Sequence, residues 1–145
     1  MLKASIKYYF VPACIFCAVV LIDVAVKKVI TFYSANQVLF GGYFVLGNFS
    51  NNKGLFGFMS LAVAVAASFV VFTFIFYLFS QSKSLRERTS LALILGGGVS
   101  NFCERLIYGR VTDVLAVGNF GVMNFADVAI FVGIVWYALL LIRKG

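Results

Sequence analysis

The sequence contains no histidine and only five acidic residues among its 145 positions. Without histidine, the imidazole-activated nucleophiles of Ser-His and Cys-His hydrolases are excluded, as is the usual histidine-ligated metal site. Cysteine is sparse and badly spaced for chemistry. Cys14 and Cys17 lie in an apolar run and Cys103 stands alone, which matches neither a zinc site nor a disulfide framework. The three read as small apolar fillers. A phosphate-binding loop is also missing, because Gly96, Gly97 and Gly98 lack the lysine and hydroxyl residue that would have to follow. That triplet reads instead as a point of close helix approach. Neither a metal nor a cofactor is expected.

What the chain has in abundance is apolar surface. Hydrophobic residues make up 63% of it and charged residues 12%, with a mean hydropathy of +1.03. A soluble domain of this length cannot hide so much apolar surface, since its surface-to-volume ratio demands polar cover. The composition therefore predicts an integral membrane protein forming one domain over residues 1–145. Four apolar segments, at 8–26, 57–79, 89–107 and 125–142, each approach the ~20 residues that cross ~30 Å of hydrocarbon. Lys3 and Lys7 before the first run resemble a signal-peptide start, but no convincing small-x-small cleavage site follows, so the run is read as a retained first helix.

The net charge of +7 follows topology rather than nucleic acid, because the basic residues flank the apolar runs. Four spans put both termini on one side together with the 80–88 connection. That side carries seven of the twelve basic residues, from Lys3 and Lys7 through Lys83, Arg86 and Arg88 to Arg143 and Lys144. The positive bias predicts cytoplasmic termini. The connection at 28–56 is too apolar for a solvated loop. Its aromatic and β-branched residues, with turn signals at Gly41-Gly42 and Asn51-Asn52, predict short strands resting on the outer interface. The expected fold is an all-α membrane protein with a small β element: four transmembrane helices and an extracytoplasmic β-cradle between helices 1 and 2.

All acids except Glu87 fall towards the non-cytoplasmic ends of these segments: Asp23, Glu104, Asp113 and Asp127. Each has a structural reading. Asp23 and Lys27, at i,i+4, can form a helix-surface ion pair. Asn101, Glu104 and Arg105 share one helical face and can form a polar clasp. Asn124 can cap the fourth helix with Asp127 three residues on, a carboxylate variant of the capping box. The cap leaves Asp113 unexplained, however, and carboxylates at membrane depth are costly. Two aspartates drawn together in a low-dielectric cleft share one proton. One then acts as general base on water while the other donates to a scissile carbonyl. That route to peptide hydrolysis requires neither histidine nor metal.

Four motifs in order sharpen this reading. "GGGVSNFCERLIYGRVTDVL" is similar to G-G-A-x-G-N-x-x-D-R followed by G-x-V-x-D-F, and "MNFADVAI" is similar to F-N-x-A-D-x-x-I. Asp23 and Lys27 match D-x-x-x-K. Asn52 and Gly54 match the start of N-x-G-x-x-F-G, whose Phe-Gly pair falls one position early here, at Phe56 and Gly57. The chain thus resembles the bacterial lipoprotein signal peptidases (signal peptidase II). The resemblance implies a multi-pass aspartyl endopeptidase of the inner membrane that removes the signal peptide from diacylglyceryl-modified prolipoproteins. Cleavage would fall just before the lipidated cysteine, with the active site towards the outer face. It further implies Asp113 and Asp127 as the catalytic pair. Asn52, Gly54, Asn101, Glu104, Arg105, Asn124, Asp23 and Lys27 would contact substrate or support the site.

The expected partners are lipidated prolipoproteins and membrane lipid, with no nucleic acid, and the chain is expected to act as a monomer. Three departures from the family pattern matter: Glu104 stands for Asp, Ser100 for Gly and Met123 for Phe. Two other readings compete. One is a four-span transporter binding cations or protons at the same acids; the other is a non-catalytic lipoprotein-binding paralogue.

Overall fold

A computed structural model of the chain describes residues 2–33, 37–39, 42–51, 61–119 and 121–144. Four helices are present: α1 (Leu2–Tyr33), α2 (Leu61–Gln81), α3 (Leu85–Tyr108) and α4 (Phe125–Ile142). Between them lie β1 (Gln37–Leu39), β2 (Phe44–Asn51), β3 (Val111–Val117) and β4 (Gly121–Met123). The fourth helix has the bounds expected from its apolar run. The first is longer than 8–26 at both ends, because leaving the hydrocarbon does not oblige a helix to end. Lys27 does not interrupt it either, since its charge is paired inside the protein.

Three of the helices, over Lys7–Tyr33, Ala62–Gln81 and Phe125–Ile142, are long and apolar enough to cross a membrane. The expected third span is not among them. Helix α3 is long enough at 24 residues, about 36 Å by its rise, but it is too polar. Its position explains the difference. It packs against α1, α2 and α4 and buries Thr89, Ser90, Ser100 and Asn101, so its polar groups meet protein rather than lipid. Large exposed apolar side chains such as Leu21, Phe69, Phe76 and Phe131 cover the other three helices, whereas on α3 they are confined to its last turn, at Leu106, Ile107 and Tyr108. In water that surface would drive association; in a bilayer it is the required exterior.

The glycine triplet sits where α3 meets its neighbours. Successive helical residues turn by about 100°, so three in a row face three directions. A Cβ on Gly96 would meet Val19 and the Phe16 carbonyl of α1 at 3.0–3.1 Å. One on Gly97 would collide with the Ala126 carbonyl and Ile130 of α4, and one on Gly98 with the Phe72 ring of α2. Close helix approach is the role anticipated for them, with one partner helix for each residue.

The strands form a single antiparallel sheet ordered β1-β2-β3-β4. It therefore differs from a cradle built only between the first two helices. Half of it comes from the α3–α4 connection, which folds as a hairpin pairing Leu115 with Met123 and Val117 with Gly121. That reversal uses glycines at positive φ, Gly118 (44°) and Gly121 (110°), where other residues are strained. Of the anticipated turns in the first connection, Gly42 has φ 95°, while Gly41 and Asn52 lie outside the described residues. β2 pairs with β3, and an irregularity between Leu46 and Phe49 shifts the register where Phe49 stands opposite Asp113.

The start of α1 and the end of α4 lie at the end of the bundle opposite the sheet. The Tyr8 hydroxyl donates to the Ser82 carbonyl at 2.9 Å, and Lys144 pairs with Glu87. Arg88, expected as a loop charge, is instead buried. Its guanidinium stacks 4.2 Å from the Tyr8 ring and 4.5 Å from the Tyr9 ring, and its Nε donates to the Ser82 carbonyl at 3.1 Å. The cysteines are free and exposed rather than packed as core fillers.

Candidate active site

The sheet end of the bundle gathers four acids into one hydrogen-bonded cluster. Its anchor is Lys27, only 7% exposed. An ammonium has three donors and no acceptor, and all three are used here. They reach Asp23 Oδ2 at 2.8 Å, Glu104 Oε2 at 2.7 Å and Asn101 Oδ1 at 3.1 Å. A surface ion pair between Asp23 and Lys27 was one sequence expectation. The pair is instead buried, with Asp23 fully enclosed.

Asp23 is satisfied from two further sides. The Ser100 hydroxyl donates to its Oδ2 at 2.6 Å, and the Ala126 N–H donates to its Oδ1 at 2.9 Å. That N–H lies in the first turn of α4, where unpaired amides and the helix dipole favour an anion. One carboxylate thereby ties α1 to both α3 and α4. The pairing has a simple register. The carboxyl ends of α1 and α3 both lie at the sheet, so the two helices run the same way. Asp23 and Lys27 are four residues apart, as are Ser100 and Glu104, and the two i,i+4 pairs meet rung to rung.

Asn101 carries the chain onward, and its partners fix its amide. Lys27 can only donate, so the oxygen must face it. The NH₂ is then left to donate to Asp127 Oδ1, at 2.8 Å. Asn124 is set by the same logic. Its Oδ1 accepts from the Asp127 N–H at 2.9 Å, which closes the capping box with Asp127 Oδ2 accepting from the Asn124 N–H at 3.2 Å. Its NH₂ therefore points the other way, to Asp113 Oδ1 at 2.9 Å and Asn101 Oδ1 at 3.1 Å. The cap and the site are one device. Asn124 starts α4, positions Asp127 through the backbone and holds Asp113 through its amide.

Asp113 reaches this point from β3, where it is 2% exposed. The adjoining irregularity in β2 is a common means of re-aiming a side chain beside a site. The hairpin between β3 and the start of α4 brings the two aspartates, 14 residues apart, onto the same asparagine.

Of the residues singled out in the sequence, Asp23, Lys27, Asn101, Glu104, Asp113, Asn124 and Asp127 meet in this cluster. Arg105 is half-buried near it, but among the described residues no hydrogen bond joins its guanidinium to the cluster. Asn52 and Gly54 lie outside the described residues. Two contributors escaped sequence reasoning. Ser100 stood out only as a departure from glycine, yet its hydroxyl holds Asp23; its i,i+4 spacing to Glu104 was the available signal. The Thr112 N–H was invisible in sequence. It donates to Glu104 Oε1 at 3.0 Å, so Glu104 spans from Lys27 on α1 to the start of β3, a reach its extra methylene serves. Among the described residues, no group of three His, Cys, Asp or Glu side chains is placed to hold a metal ion.

Comparisons with known proteins agree with this architecture. Residues 15–143 match the family model described as signal peptidase (SPase) II. A lipoprotein signal peptidase of Staphylococcus haemolyticus is 25% identical over 154 residues, covering 96% of each chain. One from Caldicellulosiruptor bescii is 28% identical over 74% of this chain and 73% of its own. One from Wigglesworthia glossinidia brevipalpis is 30% identical, with the match spanning 61% of this chain and 58% of that protein. A solved chain described as a bacterial membrane enzyme, determined by the in meso method at 1.9 Å resolution, superposes with a TM-score of 0.82. It shares 19% identity, over 94% of this chain and 96% of that one, a likeness of fold. With 129 consecutive positions inside the family model, the chain belongs to the signal peptidase II family.

Proposed function

We propose that this protein is a membrane aspartyl endopeptidase that removes the signal peptide from diacylglyceryl-modified prolipoproteins, with Asp113 and Asp127 as its catalytic pair. The observation that carries the reading is the convergence of both carboxylates on Asn124, one through its side chain and one through its cap. One carboxylate, ionised, takes a proton from water as the water oxygen attacks the scissile carbonyl carbon. The other gives its proton to the carbonyl oxygen. The tetrahedral intermediate then collapses, its C–N bond breaks, and a proton passes to the leaving nitrogen, so that one water is consumed per bond cut.

Asn101 and Lys27 serve as positioning residues: the first holds Asp127, and the second fixes which way the Asn101 amide faces. By the motif resemblance, Asn52, Gly54 and Arg105 serve in substrate binding or site support. All four helices cross the inner membrane in this reading. Helix α3 does so inside the bundle, shielded by its neighbours, the termini are cytoplasmic, and the sheet and site face outward. The lipidated cysteine is held at headgroup depth by its acyl chains, and the scissile bond is cut there by a monomeric enzyme.

The test is a cleavage assay with purified protein and one diacylated prolipoprotein. Asp113→Asn and Asp127→Asn should each abolish cleavage while still purifying as folded membrane protein. Full activity in either variant would refute the pairing.

A further inference from the structure

Beside the cluster, and separate from the aspartate pair, a cleft of about 720 Å³ opens between the carboxyl ends of α1 and α3. Asp23, Lys27, Ser100 and Glu104 form part of its wall, whereas Asn101, Asn124, Asp113 and Asp127 do not line it. The catalytic reading therefore leaves it without an occupant.

Its lining is amphipathic in an ordered way. Val20, Val24 and Ile107 supply apolar wall, and Lys28 and Arg110 bring two cations. Both cations are exposed, and among the described residues neither forms an ion pair. The acids in the wall are already committed: Glu104 to Lys27 and the Thr112 N–H, Asp23 to Lys27, Ser100 and the Ala126 N–H. The uncompensated charge of the cleft is thus positive.

Depth points the same way. Lys7 and Lys28 are 21 residues apart on one helix, about 32 Å by its rise, against a hydrocarbon thickness of about 30 Å. With Lys7 at one boundary, Lys28 stands at the other. Phe32 and Tyr108, also in the lining, are 82% and 68% exposed, as befits aromatic side chains at headgroup level.

We infer that this cleft binds an anionic membrane phospholipid, its phosphate held by Lys28 and Arg110 and its upper acyl chains laid along Val20, Val24 and Ile107. A zwitterionic lipid brings an ammonium group that finds no free carboxylate here. A water-soluble phosphate leaves the apolar wall uncovered. The inference concerns binding and stands apart from peptidase activity.

Native mass spectrometry from mixed micelles of phosphatidylglycerol and phosphatidylcholine, equal in amount and acyl chain, tests it. Wild-type protein should retain phosphatidylglycerol over phosphatidylcholine by roughly five-fold, the ratio that two exposed charge contacts supply. Lys28→Gln with Arg110→Gln should abolish that preference. Lys83→Gln with Arg86→Gln, exposed cations of the opposite end, should preserve it.

Cys103 gives a second readout that needs no substitution, since it lines the cleft and is exposed. Phosphatidylglycerol should slow its alkylation by iodoacetamide relative to Cys17, which is exposed elsewhere on α1. Equal retention of the two lipids would overturn the inference. So would a preference that survives loss of Lys28 and Arg110, which means annular lipid only. Glycerol 3-phosphate protecting Cys103 as well as the lipid does would overturn it equally.

Discussion

Replacing Lys27 by methionine is the most demanding test of the cluster, because one side chain holds three partners. Lys27→Met keeps the volume and removes the charge. Asp23, fully buried, and Glu104, with 14% of its side chain exposed, then face each other without a cation. Breaking a buried ion pair from one side costs about 3–5 kcal/mol, and the partial exposure of Glu104 places the cost near 3 kcal/mol. For a chain of this size that lowers the unfolding midpoint by roughly 10 °C. Trp136 is the chain's single tryptophan, so its fluorescence in detergent during heating reports the midpoint. The same variant releases the Asn101 amide, whose orientation Lys27 dictates, and Asp127 loses a fixed donor. Turnover should fall tenfold or more, about one charge-assisted hydrogen bond in the transition state.

Adding Asp23→Asn and Glu104→Gln to Lys27→Met should restore most of the midpoint but not the turnover, because neutral partners cure the buried charge without re-aiming Asn101. A single Lys27→Met variant with unchanged midpoint and unchanged turnover refutes the argument. Recovery of turnover in the triple variant refutes the positioning role alone.

Other expectations follow from the same geometry. Gly97→Ala drives a methyl into the α4 backbone at Ala126 and should cost about 1–3 kcal/mol, whereas Gly98→Ala meets only a movable Phe72 ring and should cost less; thermal midpoints in the opposite order would contradict the packing scheme. Glu104→Asp installs the residue expected from the family motif but is one methylene too short to reach both Lys27 and the Thr112 N–H. It should lose about 1 kcal/mol, and a raised midpoint would show that the span is not under the constraint described.

Much of the site was legible in the sequence because its members obey local periodicities. Asp23 and Lys27 are spaced at one helical turn, Asn101 and Glu104 share a face, and Asn124 with Asp127 forms a cap whose geometry is set within four residues. Asp113 was harder. It sits on a strand, and its place beside Asp127 depends on a hairpin closing and on a register shift in β2, which comes from a different connection. Ser100 and the Thr112 N–H were beyond reach for a related reason. A serine in place of glycine shows at most its i,i+4 spacing to Glu104, not its partner on another helix, and a backbone amide shows nothing at all. Helix α3 poses the converse problem. Its length suggested a span like the others, but its polarity makes sense only once three helices surround it.

The sequence by itself determined that this chain is built for a membrane, that it offers no histidine for hydrolytic chemistry, and which acids share a depth. Those follow from composition and from helical spacing, which act over a few residues. Only the tertiary structure decided that Asn124 joins the two aspartates, that Lys27 spends all three donors on one cluster, and that a cationic cleft lies on the far side of it. The reason is physical: each depends on side chains from separate elements meeting within hydrogen-bonding distance, and that meeting is set by how closely α1, α3 and α4 pack around Gly96 and Gly97.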